Sequence, residues 1–391
     1  MTLDLDRLCD DYKGITGVAP LWAARAPGRV NLIGEHIDYN GGKVLPFAID
    51  RSISAVAAPS ADGGFHLHSA DYKETFSWID PLPEGPLVPS WANYFVAVLE
   101  EFHRRDLRVP PLTVLIEGDI PQGAGLSSSA AFEVCAASLL LAVLEEELPE
   151  SEIALLTQAA EHGPRVGVQC GIMDQFISVA GKEGNALLLD CATLEYEPVS
   201  MPSEEVRVVV IHSTVERKLS ASAYNQRRKQ CGQGLEDLRR LTGKKAAHLV
   251  DFSWEEFETH ETSLERTVSR RVRHVLTENL RVLQTVERLK GGDFAEVGQL
   301  LNASHASLRD DYEVSCPELD LVQETALSTE GVLGCRMTGG GFGGCAVALV
   351  ESRKIERVLD SIQAGLAKSF TNPPWFFATH AKRGAESFHL G

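Results

Sequence analysis

Residues 118–144 read GDIPQGAGLSSSAAFEVCAASLLLAVL, and no other stretch limits the chain's options as much. Gly123 and Gly125 let the backbone approach a ligand closely. Three serines, Ser127, Ser128 and Ser129, then open a long apolar helix over 127–148, which Pro149 stops. A helix start carries unpaired N–H groups and the positive end of the helix dipole, so this junction suits a phosphate. A glycine-rich turn with a serine N-cap explains the same residues, and on this stretch alone the two readings stand level. The Walker pattern G-x-x-x-x-G-K-[ST] occurs nowhere, so a nucleotide bound here would use a different loop.

Around this junction the pattern changes along the chain. A helix is predicted over Leu3–Lys13, with Leu5, Leu8 and Tyr12 on one stripe. From Leu21 to Ile79 short β-like segments are separated by Gly and Pro. A helix is predicted over 90–105, a strand at LTVLIEGDI, and a helix capped by Ser151 that ends near Gly163–Pro164. Strands at NALLLDC and VRVVVIHS come next, then mostly helices to about Lys290. A mixed final third contains the strand CAVALV and a helix from Ile355 to Phe370. Runs of strands and runs of helices, without regular βαβ alternation, predict an α+β fold. A chain of 391 residues is long for one domain, and PVSMPSEE near residue 200 separates two strand signals. The predicted domains are therefore 1–200 and 201–374.

Charge and composition narrow the class. A net charge of −18 opposes nucleic-acid and anionic-membrane partners, which carry the same sign. The longest uncharged apolar run, near Leu139–Leu144, is too short to span a bilayer. The acidic start MTLDLDRLCDDYK lacks a secretory pattern, and eight cysteines without a C-x-x-C pair suit reduced thiols. A soluble cytoplasmic protein is expected.

Two further segments carry chemistry. CRMTGGGFGGCAVALV, residues 335–350, formally contains G-x-G-x-x-G from Gly339. A strand follows it where a dinucleotide fingerprint needs a helix, so it reads as a turn that packs close to another backbone or a ligand. RAPGRVNLIGEHIDYNGGKVLPFAID, residues 25–50, brings Arg29, Glu35, His36 and Asp38 within ten residues of one another. Singly each reads as a surface charge, but such a cluster suits a sugar, whose adjacent hydroxyls want several acceptors in fixed geometry. His66 and His68 form an H-x-H without a nearby third ligand and read as a surface strand.

GRVNLIGEHIDY resembles the signature of the galactokinases. With GLSSSAA and GGGFGG it gives, in order, the three motifs of the GHMP kinases, and CGIMDQFIS at 170–178 is also similar to the galactokinase pattern. The resemblance runs from about Ala24 to the C-terminus. It implies an N-terminal domain like the second domain of ribosomal protein S5 and a C-terminal ferredoxin-like domain. The active site would lie in the cleft between them, and the final segment, 375–391, would return to the first domain. The activity implied is ATP-dependent phosphorylation of galactose at the anomeric C1 hydroxyl, giving galactose 1-phosphate and ADP.

Site residues follow from the same resemblance. Asp174 matches the catalytic carboxylate, which takes the hydroxyl proton or holds the hydroxyl in line, and Arg29 matches the arginine beside it. Galactose binding carries over onto Glu35, His36, Ile37, Asp38, Gly171, Asp174 and Tyr224; Ile37 stands where the family usually has Thr and is expected to point away from the sugar. ATP binding carries over onto Gly123, Ala124, Gly125, Leu126, Ser127, Ser128 and Ser129. Ser69 and Trp91 are added for the adenine side, although Trp91 also reads as an ordinary core aromatic. Ser129 and Glu161 are the implied Mg2+ ligands. Five residues, HGPRV, separate Glu161 from Gly167, one more than is usual in the family. The extra residue is expected to be absorbed at Gly163–Pro164. A related sugar 1-kinase of N-acetylgalactosamine or arabinose type, and a non-catalytic galactose- and ATP-sensing regulator, are the alternatives; intact GLSSSAA with Arg29 and Asp174 favours an enzyme. The oligomeric expectation is a monomer or weak homodimer.

Overall fold

The computed structural model describes residues 5–215, 220–367, 369–370, 372 and 374–391. In chain order the first half holds α1 (Leu5–Thr16), β1 (Trp22–Asn31), β2 (Lys43–Val44), β3 (Pro46–Pro59), β4 (Phe65–Ser69) and β5 (Glu74–Trp78). Then come α2 (Ala92–Arg104), β6 (Leu112–Gly118), α3 (Ser128–Leu144), α4 (Glu150–His162), α5 (Met173–Ala180), β7 (Asn185–Asp190) and β8 (Tyr196–Ser200). The second half runs β9 (Val206–His212), α6 (Ser220–Thr242), α7 (Trp254–His260), α8 (Arg266–Gly291), α9 (Phe294–Asp310) and α10 (Pro317–Leu327). It ends with β10 (Val332–Thr338), β11 (Cys345–Glu351), α11 (Ile355–Leu366), β12 (Trp375–Thr379) and β13 (Glu386–His389). The first residues of the predicted opening helix, Leu3 and Asp4, lie outside the described residues.

Three sheets organise the described residues. The largest has the order β13-β1-β3-β6-β4-β5, antiparallel except where β4 pairs in parallel with β6. A four-stranded antiparallel sheet has the order β10-β11-β9-β12, and β2, β7 and β8 form a small third sheet. One mixed and two antiparallel sheets with helices packed on them make the fold α+β. The return to the first sheet begins later than residue 375. Trp375–Thr379 pairs with β9, where Phe376 and Phe377 continue the apolar strand surface, and only Glu386–His389 pairs with β1. Among the described residues no helix is long and apolar enough to cross a membrane.

The core explains why α3 is apolar all round. Ala24 and Ala26 of β1 are fully buried, and their small side chains let α3 lie close to the sheet, while Ala23 beside them packs on the other face against α1; Cys135 of α3 reaches the Ala24 carbonyl. This helix is shorter than the predicted 127–148, because Glu145 takes a left-handed φ of 55° and ends it before Pro149. The start of α4 also differs from expectation. Pro149 is its N-cap, without a side-chain cap, and Ser151 lies within the first turn. Proline's fixed φ sets the entry to this helix without a serine cap.

Candidate active site

Arg29 enters the site through a break in β1. The register with β3 shifts between Pro27 and Arg29, and a side chain on Gly28 would meet the Leu126 carbonyl at 2.6 Å. The bulge lets the Arg29 amide donate to that carbonyl at 3.1 Å. The buried Arg29 guanidinium donates through Nε to Asp174 Oδ1 at 2.8 Å and through Nη2 to Oδ2 at 2.7 Å. Its Nη1 holds the Gly125 carbonyl at 2.7 Å. This fork-to-carboxylate geometry fixes Asp174, in the first turn of α5, more firmly than one hydrogen bond could. Ser127 adds a third donor, its hydroxyl 2.5 Å from Asp174 Oδ2.

The glycine loop ends at this carboxylate. Gly123 and Gly125 take φ of 70° and 77°, and Ser127, immediately before α3, takes 61°. These left-handed values turn the chain so that α3 starts facing the cleft. Gly123, Gly125 and the three serines line a cavity of about 390 Å³ together with Arg29, Asp174 and the 35–38 turn. Ala124 and Leu126 are buried and absent from its lining.

The opposite wall is polar. His36 takes φ of 64°, an uncommon conformation for a residue with a side chain, and donates or accepts at Nδ1 with the Tyr39 hydroxyl at 2.8 Å. Tyr39 continues to Tyr312 at 2.8 Å. Burial, with His274 and Arg227 nearby, pushes the His36 imidazole down to about 3, so it is neutral at physiological pH. Asp38 is pushed up to about 7 by burial and then by the charge of Asp174. Gly171 passes so close to Asp38 that a side chain there would lie 1.7 Å from Oδ2. Tyr224 closes this wall, its ring centroid 5.4 Å from that of His36. Ile37 is fully buried, lies outside the cavity lining and packs where a side chain on Gly42 would clash.

Ser129 and Glu161 meet beside the loop, the Ser129 hydroxyl donating to Glu161 Oε1 at 3.0 Å. Glu161 stands in the last turn of α4, which ends at Gly163; Val166 and Gly167 then donate back to the Gly163 carbonyl. His162 closes the helix, so the turn to Gly167 lies beyond it and leaves Glu161 within α4. Cys170 at 3.2 Å and Gln175 donate to Glu161 Oε2, so among the described residues its side-chain donors are all neutral. Burial pushes the Glu161 carboxyl up. A buried, cleft-facing acid with only neutral donors, beside a hydroxyl, fits one side of a hard divalent cation whose other ligands are phosphate and water. No cluster of three or more His, Cys, Asp or Glu suited to a metal occurs among the described residues, His66 and His68 included. Those two histidines bond to Asp62, Ser77 and Thr75 on the strand surface.

Ser69 and Trp91 lie outside the cavity lining. Trp91 donates to Glu74 at 2.9 Å and lies parallel to Tyr72, whose hydroxyl accepts from Gln122 of the glycine loop at 2.7 Å.

Family comparisons bear on these groupings. The galactokinase galactose-binding signature matches residues 10–59, the GHMP kinase N-terminal domain residues 93–182 and the GHMP kinase C-terminal domain residues 283–368. A galactokinase from Roseiflexus sp. (strain RS-1) is 44% identical over 356 residues, 90% of each chain. One from Canis lupus familiaris is 40% identical, covering 95% of this chain and 94% of its own. The chain belongs to the galactokinase family. The galactokinase of Lactococcus lactis, solved in complex with galactose, superposes with a TM-score of 0.92 at 33% identity, covering 99% of this chain and 100% of that one.

Sequence reasoning about a galactokinase misses several groups that line or brace this cleft. Cys170 and Gln175 hold Glu161 although CGIMDQF singles out only Gly171 and Asp174. Glu35 Oε1 accepts from Arg336, Thr338 and the Gly339 amide at 2.6, 2.8 and 2.9 Å, which ties the first motif to the third. The buried pair could have been suspected from the arginine that precedes the glycine run.

Proposed function

We propose that this cleft moves the γ-phosphoryl group of ATP onto the C1 hydroxyl of galactose, giving galactose 1-phosphate and ADP. The observation that carries the reading is the meeting of three chain segments at one carboxylate: Arg29 and Ser127 hold Asp174 between the glycine loop and the 35–38 turn. Phosphoryl transfer asks mainly for positioning and charge neutralisation. The start of α3 supplies amides and serine hydroxyls for the phosphates, and Arg29 lies beside the path of the transferred group. The sugar O1 forms a bond to the γ-phosphorus as the bond to the ADP oxygen breaks. Asp174 holds the attacking hydroxyl in line or receives its proton. Asp38, His36 and Tyr224, with Glu35 behind them, serve the other sugar hydroxyls, and Gly171 keeps the space Asp38 needs. Ser129 and Glu161 would hold Mg2+, which neutralises phosphate charge when bound.

The division between domains is proposed near residue 200, with the C-terminal strand β13 joining the first. The test is ADP release by purified protein over a panel of galactose, N-acetylgalactosamine, arabinose and glucose. Galactose is expected to give the highest kcat/KM; a preference for another sugar, or no release with any, would overturn the reading.

A further inference from the structure

Turns that bind sugars are effective only when their acceptors are held still, and the 31–43 segment has little regular structure of its own. Its backbone is gripped instead by residues from the far half of the chain. Glu278 of α8 accepts from the Gly34 amide through Oε1 at 3.1 Å. His274, one turn earlier on α8, has Nε2 3.1 Å from the Glu35 carbonyl. Asn279 accepts from the Lys43 amide at 2.8 Å. Arg336 of β10 donates to the carbonyls of Leu32 and Asn31 at 2.9 and 3.0 Å. Gly34 itself sits against α8, where an added side chain would meet Val282 at 3.1 Å.

The anchors are themselves fixed. Glu278 is fully buried; Ser304 of α9 donates to its Oε1 at 2.6 Å and Arg281 to its Oε2 at 2.7 Å. His274, also fully buried, is braced at Nδ1 by Ser307 of α9 at 2.9 Å. His274 is pushed down to about 4 by burial, so a neutral ring with its proton on Nε2 can donate to Glu35. None of these four anchor residues lines the cavity.

We propose that α8 is the positioning element of the sugar turn, with Glu278 and Asn279 clamping its two ends at Gly34 and Lys43 so that His36 and Asp38 face the cleft in fixed register. The inference rests on the reading of that turn as the galactose site. It makes Glu278 and Asn279 determinants of sugar affinity although neither touches the sugar.

The test compares Glu278→Leu, Glu278→Gln and Asn279→Ala with wild type, using calorimetric titration of galactose and, separately, of ATP with Mg2+. Asp38→Ala is included as the control for the sugar site. Displacing reacting or binding groups by about 1 Å costs up to roughly 100-fold, so a loosened turn should weaken galactose binding by about tenfold in Glu278→Leu. Glu278→Gln, which keeps an acceptor for the Gly34 amide, should recover part of the loss, and nucleotide affinity should stay within about twofold of wild type on the same grounds. Should Glu278→Leu fail to fold, Asn279→Ala decides, because it removes a single hydrogen bond from a half-buried residue. Wild-type galactose affinity in folded Asn279→Ala and Glu278→Leu, with Asp38→Ala impaired, would overturn the positioning role alone. An equal loss for both ligands would overturn it too, since that marks general destabilisation. Unchanged galactose affinity in Asp38→Ala would instead overturn the sugar site on which the inference stands.

Discussion

Asp38 bears the least comfortable charge in the cleft. Burial and the neighbouring charges of Asp174 and Glu35 raise its carboxyl to about 7, against the pull of the Tyr39 amide and Arg29. The sign follows from linkage: a raised pKa in the folded state means stability is full below the unfolded value and lost as pH rises through about 7. Sugar hydroxyls donate best to the ionised form, so galactose binding should relieve that strain. Its affinity is expected to fall by about tenfold for each pH unit below 7, measured by calorimetry without nucleotide, and Asp38→Asn should flatten the profile. A flat wild-type profile between pH 6 and 8 would contradict this. At this scale the sequence is readable where a motif is contiguous, as in GEHIDY. It is silent where partners are far apart: Ser127 and Asp174 are 47 residues apart, and Glu35 and Arg336 are 301 apart. Nothing local in either segment encodes such a meeting.

The end of α4 shows what can be read of an element. Glycine and proline mark its stop, because proline is disfavoured inside a helix and drives the preceding Gly163 to an extended ψ of 159°. Gly163, Pro164, Arg165 and Val166 therefore fall outside the helix, and Glu161 in its last turn faces Ser129. Glu161→Gln is expected to raise the magnesium concentration for half-maximal activity several-fold while leaving galactose affinity unchanged; a magnesium curve that overlays wild type would contradict the ligand role. Helix starts are less legible. Ser151 looks like a cap, but the helix starts two residues earlier, where the Pro149 carbonyl accepts from the Glu152 and Ile153 amides. Strand β12 escapes local reading for another reason: WFFAT is short and its partner, β9, lies far back in the sequence.

Over the whole molecule, separate runs of strands and of helices make the α+β class readable, while sheet order is not, because β13 joins β1 only through the completed fold. The two halves are joined at the site itself by Arg336 and Glu35, both buried. Arg336→Met leaves Glu35 with an uncompensated charge and should cost about 3–5 kcal/mol, seen as a marked fall in the thermal unfolding midpoint. An unchanged midpoint would show that the pair does not hold the halves together. For the cleft they enclose, single-turnover phosphorylation of galactose by Asp174→Asn is the most direct test of the proposed centring of phosphoryl transfer on Asp174. With galactose affinity within a few-fold of wild type, the rate of galactose 1-phosphate formation should fall by roughly 10²–10⁴-fold. Formation at the wild-type rate would contradict the assignment of Asp174 to the chemistry.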